Sequence, residues 1–176
     1  MTWDKRHTYC CSIIVCMFFF ACTGGYKFTN ANAPSDAKTI AITLFYNESP
    51  GGPPDLSQTF TEAIREYFQQ NTKLSVTKDP LTADLILEGN IVSYLIQPVA
   101  PVSDGSTETA AQQKLVIDVQ ASYTNNLNEK DNFNQRFSAF ALFDGEKTLS
   151  EVENEKIEEI TEQLVLKIFN KSFDNW

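Results

Sequence analysis

Lys114–Thr124 reads KLVIDVQASYT. Leu115, Ile117, Val119, Ala121 and Tyr123 fall on every second position, between Lys114, Asp118, Gln120, Ser122 and Thr124. A period of two is that of a pleated strand, so the segment reads as a strand with one face buried and one wet. Such a strand needs neighbours of the same kind and a cover over its apolar face.

The neighbours lie on both sides of it in sequence. Leu85–Gln97 (LILEGNIVSYLIQ) reads as a long strand, and Gly89 inside it predicts a bulge or bend. Pro98–Gln113 reads as a long polar loop between the two. After a turn at Asn125–Asn132, Phe133, Phe137, Ala139, Ala141 and Phe143 mark one face of a further strand. Near the start of the domain, Ile40, Ile42, Leu44 and Tyr46 alternate within TIAITLFY, which predicts one strand over Thr39–Tyr46. Leu74–Thr77 is a short candidate that Pro80 ends.

Two helices supply the cover. Behind the breaker cluster Ser49–Pro54, the residues Leu56, Phe60, Ala63, Ile64, Tyr67 and Phe68 form one apolar stripe at the helical period. Asp55 with Gln58 fits a capping box, and Asn71 is the stop. The last helix is predicted from near Ser150, with Glu153 as capping partner, to about Phe173. Its core stripe is Ile157, Ile160, Leu164 and Ile168. The expected fold is therefore an α+β two-layer sandwich. It has a mixed sheet of four strands, or five with Leu74–Thr77, and two helices packed on one face.

The start of the chain has a different character. Lys5 and Arg6 precede an apolar run from Ser12 to Ala21, and Cys22 opens a polar stretch. This is the layout of a secretory signal, too short for a membrane-spanning helix. Phe19-Phe20-Ala21-Cys22 resembles a bacterial lipobox, whose cysteine thiol is acylated and becomes the new N-terminus. The expected organisation is a signal peptide over residues 1–21, a lipidated tether over 22–37 and a single domain over 38–176. Each buried acyl methylene contributes about 0.8 kcal/mol, and stable anchoring takes more than one chain. Thr23 stands where an inner-membrane retention signal has Asp, and no acidic run follows. Both features favour a lipid-anchored, mostly periplasm-facing protein at the outer membrane. An ordinary secreted protein is the other reading of the same segment.

Cleavage before Cys22 also narrows the chemistry. Cys10, Cys11, Cys16 and the sole histidine, His7, all leave with the signal. The mature chain then has no disulfide pair, no thiolate cluster for zinc and no Ser-His or Cys-His triad. Removing Asp4, Lys5 and Arg6 from the 14 basic and 23 acidic residues leaves 12 and 22, a net charge of −10. That balance opposes nucleic acid and other polyanions. The six glutamates from Glu151 to Glu162 on the last helix read as a solvated face. No cofactor, metal site or catalytic residue is expected, only the covalent lipid on Cys22. On a helical wheel, Leu166, Phe169, Phe173 and Trp176 cluster roughly opposite the core stripe. They read either as wrapped by the tether or a loop or as a partner-docking surface.

Several stretches together resemble LptE-type lipopolysaccharide-assembly lipoproteins, especially those of the Bacteroidota. They are Cys22–Phe28, Ala37–Phe45 (AKTIAITLF), Leu56–Phe68 (LSQTFTEAIREYF), Ala83–Tyr94 (ADLILEGNIVSY), Phe133–Asp144 and Val152–Trp176. The resemblance implies a two-layer sandwich with helices on one face of a four-stranded sheet. It also implies a role without catalysis: a plug in the lumen of the outer-membrane β-barrel LptD, which it helps to fold. The pair then inserts lipopolysaccharide into the outer leaflet. Some family members contact lipopolysaccharide through basic residues, but no basic pair here matches them, so direct glycolipid contact stays open. Pro98–Gln113 and the aromatic stripe are the expected barrel contacts. The alternative is a periplasm-facing binding or chaperone-like lipoprotein for another envelope ligand.

Overall fold

Three long segments of alternating residues pair into the body of the sheet. The computed structural model describes residues 34, 36–99 and 112–173. β4 (Leu85–Val99) runs antiparallel to β5 (Gln112–Asn125), which runs antiparallel to β6 (Phe133–Asp144). Leu115, Ile117, Val119, Ala121 and Tyr123 all point into the core, and Ala141, Ala139 and Phe137 oppose the first three of them across β6. The pleat read in Lys114–Thr124 thus sets the inward phase for its neighbour on that side.

The N-terminal part adds parallel strands. β1 (Thr39–Ile42) lies between β3 (Ser75–Thr77) and β4, parallel to both. β2 (Tyr46–Asn47) pairs with β4 beyond the end of β1. The sheet order is β3-β1-β4-β5-β6, with β2 beside β4, six strands among the described residues. The α+β two-layer sandwich holds. The sheet is larger than the expected four or five strands, because Thr39–Tyr46 divides in two and Leu74–Thr77 does form a strand.

The division has a physical cause. Phe45 turns inward, fully buried, and packs edge-on against Phe60 at 5.4 Å. Its amide donates to Thr61 Oγ1 instead of to a strand. The phase therefore flips, and Leu44 and Tyr46, expected beside Ile40 and Ile42, are exposed. Gly89 makes room for that ring. A Cβ at Gly89 would stand 2.6 Å from Phe45 Cε1 and 2.2 Å from the Gln120 carbonyl oxygen. Gly89 is thus a site of close approach and not the predicted bulge, which falls between Ile91 and Ser93.

Helix α1 (Leu56–Asn71) buries Leu56, Phe60, Ile64 and Phe68, as its period dictates. The Asp55 side chain makes no capping bond, and Gln58 Nε2 instead donates to Glu62 Oε1 at 2.9 Å. Thr72 closes the helix, its amide and hydroxyl both donating to the Phe68 carbonyl. Helix α2 (Leu149–Phe173) is capped two residues earlier than expected: the Thr148 amide and hydroxyl each donate to Glu151 Oε2 at 2.7 Å. Ile157, Ile160, Leu164 and Ile168 are buried as predicted. Both helices cover the inward face, and each fully buried Leu, Ile or Phe contributes about 1.5–3 kcal/mol.

Candidate functional site

The last helix carried the sequence-based candidates, and its C-terminal half departs from the expected pattern. Phe169 is 5% exposed and Phe173 6%, whereas Leu166 is 45% exposed. Phe169 packs edge-on against Tyr67 at 4.9 Å and Phe68 at 5.0 Å. Phe173 meets Phe68 at 5.5 Å and Tyr123 at 6.4 Å. Of the two readings, Phe169 and Phe173 follow the wrapped one, but their cover is the sheet and α1 and not the tether or a loop. This end of α2 is buried on two sides, by the sheet beneath and by α1 alongside, so it needs apolar residues beyond a single stripe. Leu166 alone among the three points outward. Cys22 and Trp176 lie outside the described residues. So do residues 100–111 of the expected loop, whose ends instead extend β4 to Val99 and start β5 at Gln112.

The sheet face opposite the two described helices is divided along its length. At one end, Leu95, Val116 and Phe140 lie abreast, and the next row holds Gln97, Lys114 and Leu142. Phe140, Leu95 and Leu142 are large and exposed, and the Lys114 ammonium stands 5.7 Å from the Phe140 ring centre. Toward the other end the rows are polar: Asn90, Gln120 and Arg136, then Glu88, Ser122 and Asn134. Arg136 bridges to Asp118 at 2.6 Å, an exposed pair worth at most about 1 kcal/mol. Gln120 donates to Asn134 beside it. Sequence reading passed over the apolar end, although the off-phase positions of Phe133–Asp144 hold Phe140 and Leu142 among polar residues.

On the opposite side, the two helices flank a groove of about 650 Å³ whose walls include Asp55, Glu62, Glu66, Glu158 and Glu162 over Tyr67 and Ile157. No lysine or arginine among the described residues lines it. Among the described residues no group of three or more His, Cys, Asp or Glu is placed to hold a metal ion. No described helix is long and apolar enough to cross a membrane. The shifted ionisations belong to structural contacts. Asp84 is held below the usual carboxylate range, first by the Lys38 amide and then by Thr39, whose amide and hydroxyl also donate to it. Burial, and after it Asp131, pushes the Tyr123 phenol up. Its hydroxyl is enclosed with no hydrogen-bond partner among the described residues.

The family model LptE, described as Lipopolysaccharide-assembly, matches residues 37–172. No curated protein matches the chain in sequence. Among solved structures, a hypothetical protein of Chlamydia trachomatis aligns with a TM-score of 0.51 at 10% identity, over 79% of this chain and 100% of that one. It shares the fold. A minor lipoprotein of Acinetobacter baumannii aligns at 0.47 and 13% identity, over 79% and 94% of the two chains. The rare lipoprotein B of Shewanella oneidensis aligns at 0.43 and 10%, over 76% and 90%.

Proposed function

The chain belongs to the LptE family of lipopolysaccharide-assembly lipoproteins, and from that premise we propose that it is the plug and assembly partner of the outer-membrane β-barrel LptD. In this reading the covalent lipid on Cys22 holds the domain at the periplasmic side of the outer membrane. The tether after it turns a search in three dimensions into a local one by raising effective concentration. The domain then wedges into the barrel, and the pair delivers lipopolysaccharide to the outer leaflet.

The family match over residues 37–172 carries the proposal. The domain supports it by what it offers, a two-layer body with both described helices packed over one buried sheet face. The chain needs no cofactor for this work. Leu166, exposed on α2, is kept as a barrel contact, while Phe169 and Phe173 serve the core. The net charge of −10 expected for the mature chain points to the barrel as the main partner, in preference to the polyanionic glycolipid or any nucleic acid.

The test is mild-detergent extraction of the full-length tagged chain, followed by mass spectrometry of what co-purifies. The expected result is a large outer-membrane β-barrel in equal amount, with loss of the outer-membrane permeability barrier when the chain is depleted. Recovery without a barrel, together with normal permeability, would overturn the proposal and favour a binding or chaperone-like lipoprotein. Intact mass of the native protein tests the anchor. The mass expected is that of a chain starting at Cys22 plus acyl chains.

A further inference from the structure

Among the described residues β6 is the last strand of the sheet and pairs on one side only, with β5. An open edge of 12 residues is a template for another strand. Two of its outward carbonyls are already occupied. Lys167 Nζ donates to the Ser138 carbonyl at 2.6 Å, and Gln163 Nε2 to the Phe140 carbonyl at 3.2 Å. Both donors come from α2, four positions apart and so on one face of that helix. An arriving strand must displace both before it can pair here.

The edge is also self-complementary. Arg136, Ser138, Phe140, Leu142 and Asp144 occupy alternate positions of β6 and are exposed. Antiparallel pairing of two copies about a two-fold axis at Phe140 sets that ring opposite its own mate. It sets Ser138 opposite Leu142 and Arg136 opposite Asp144. Aromatic and opposite-charge pairs stabilise neighbouring strands, and the two-fold axis makes each charge pair occur twice. The next register places Arg136 opposite Leu142 and leaves the charges unmatched.

We propose that Gln163 and Lys167 form an edge guard that holds β6 closed against pairing with a second copy of this chain, in the register centred on Phe140. The guard keeps the domain single, as a body that must fit inside a partner has to be.

The experiment uses the full chain in detergent micelles, with light scattering that separates protein mass from detergent mass. The unaltered chain is expected to show one copy per particle. Gln163→Met with Lys167→Met keeps the apolar stems and removes both donors, and two copies are expected. Adding Asp144→Arg should return the particle to one copy, and pairing Asp144→Arg with Arg136→Asp should restore two. A natively folded double variant that stays at one copy at every concentration would overturn the proposal. So would an unaltered chain already holding two copies, or a dimer indifferent to the charge changes. If the double variant fails to fold, Lys167→Met alone carries the test with the same outcomes, because Lys167 makes the shorter bond.

Discussion

The Tyr94 hydroxyl donates a 2.6 Å hydrogen bond to Glu153 Oε1 across 59 residues of chain. It ties β4, just past its bulge, to the start of α2. Burial first, and the bond to Glu153 second, push the phenol well above its usual range, so it remains a donor at any ordinary pH. The breaker cluster closes over the same ring. A Cβ at Gly51 would lie 3.0 Å from Tyr94 Cδ1, and Gly52 sits at φ 94°, where glycine is at ease and other residues are not.

Tyr94→Phe keeps the ring and removes the donor. Glu153 is half-buried and partly regains water, so the expected loss is about 1–2 kcal/mol. Urea unfolding of the variant beside the unaltered chain measures it, as a lower midpoint with an unchanged slope.

Gly89→Ala is expected to be far more damaging than its single methyl group suggests. The new Cβ meets a backbone oxygen at 2.2 Å, which no rotamer change relieves. The loss should reach at least about 3 kcal/mol. Circular dichroism during thermal unfolding reads it as a large fall in midpoint or as failure to fold.

Phe169→Asp and Leu166→Asp separate core from surface on α2. Phe169 touches two aromatic rings of α1, so a carboxylate there should cost about 3–5 kcal/mol or more. Leu166→Asp should change stability by within about 0.5 kcal/mol, while weakening co-purification of the barrel. Denaturant midpoints and the recovered barrel fraction, taken together, check both halves.

Acid should loosen the domain through its hydrogen-bonded carboxylates. Asp84 is depressed chiefly by the Lys38 amide, Glu151 by the Thr148 hydroxyl and Glu155 by the Lys156 ammonium. A folded value below the unfolded one means stability that is present above about pH 4, near the unfolded values. It is lost as pH falls through the folded values. Urea midpoints should hold from neutrality to about pH 5 and then decline. Asp84→Asn should lower the neutral plateau and shallow the acid decline, a difference that a pH series of unfolding curves reads directly.

Much of this was legible in the residues. The alternation in Lys114–Thr124 placed five side chains in the core, and the stripe of Ile157, Ile160, Leu164 and Ile168 did the same for α2. The likeness of the five fragments from Ala37 onward to the LptE family agrees with the match over residues 37–172, and Cys22–Phe28 lies outside that match. The errors share a cause. Helical period located Phe169 and Phe173 relative to Ile160, but it carries no information on whether a second helix lies alongside. Alternation likewise predicted Leu44 and Tyr46 inward, and failed where burying Phe45 over Gly89 outweighed keeping one strand in phase.

The sequence by itself determined what repeats locally: the pleat of each strand and the inward stripe of each helix. Tertiary structure alone decided which neighbours those faces meet. It chose Tyr94 over a helix-capping role as the mate of Glu153, Glu151 over Glu153 as the cap, and the β6 carbonyls as the acceptors for Gln163 and Lys167. The reason is range. Period and capping depend on residues within a few positions of one another, whereas these contacts join residues 23 to 59 apart in all but the cap, and they exist only once the layers have packed.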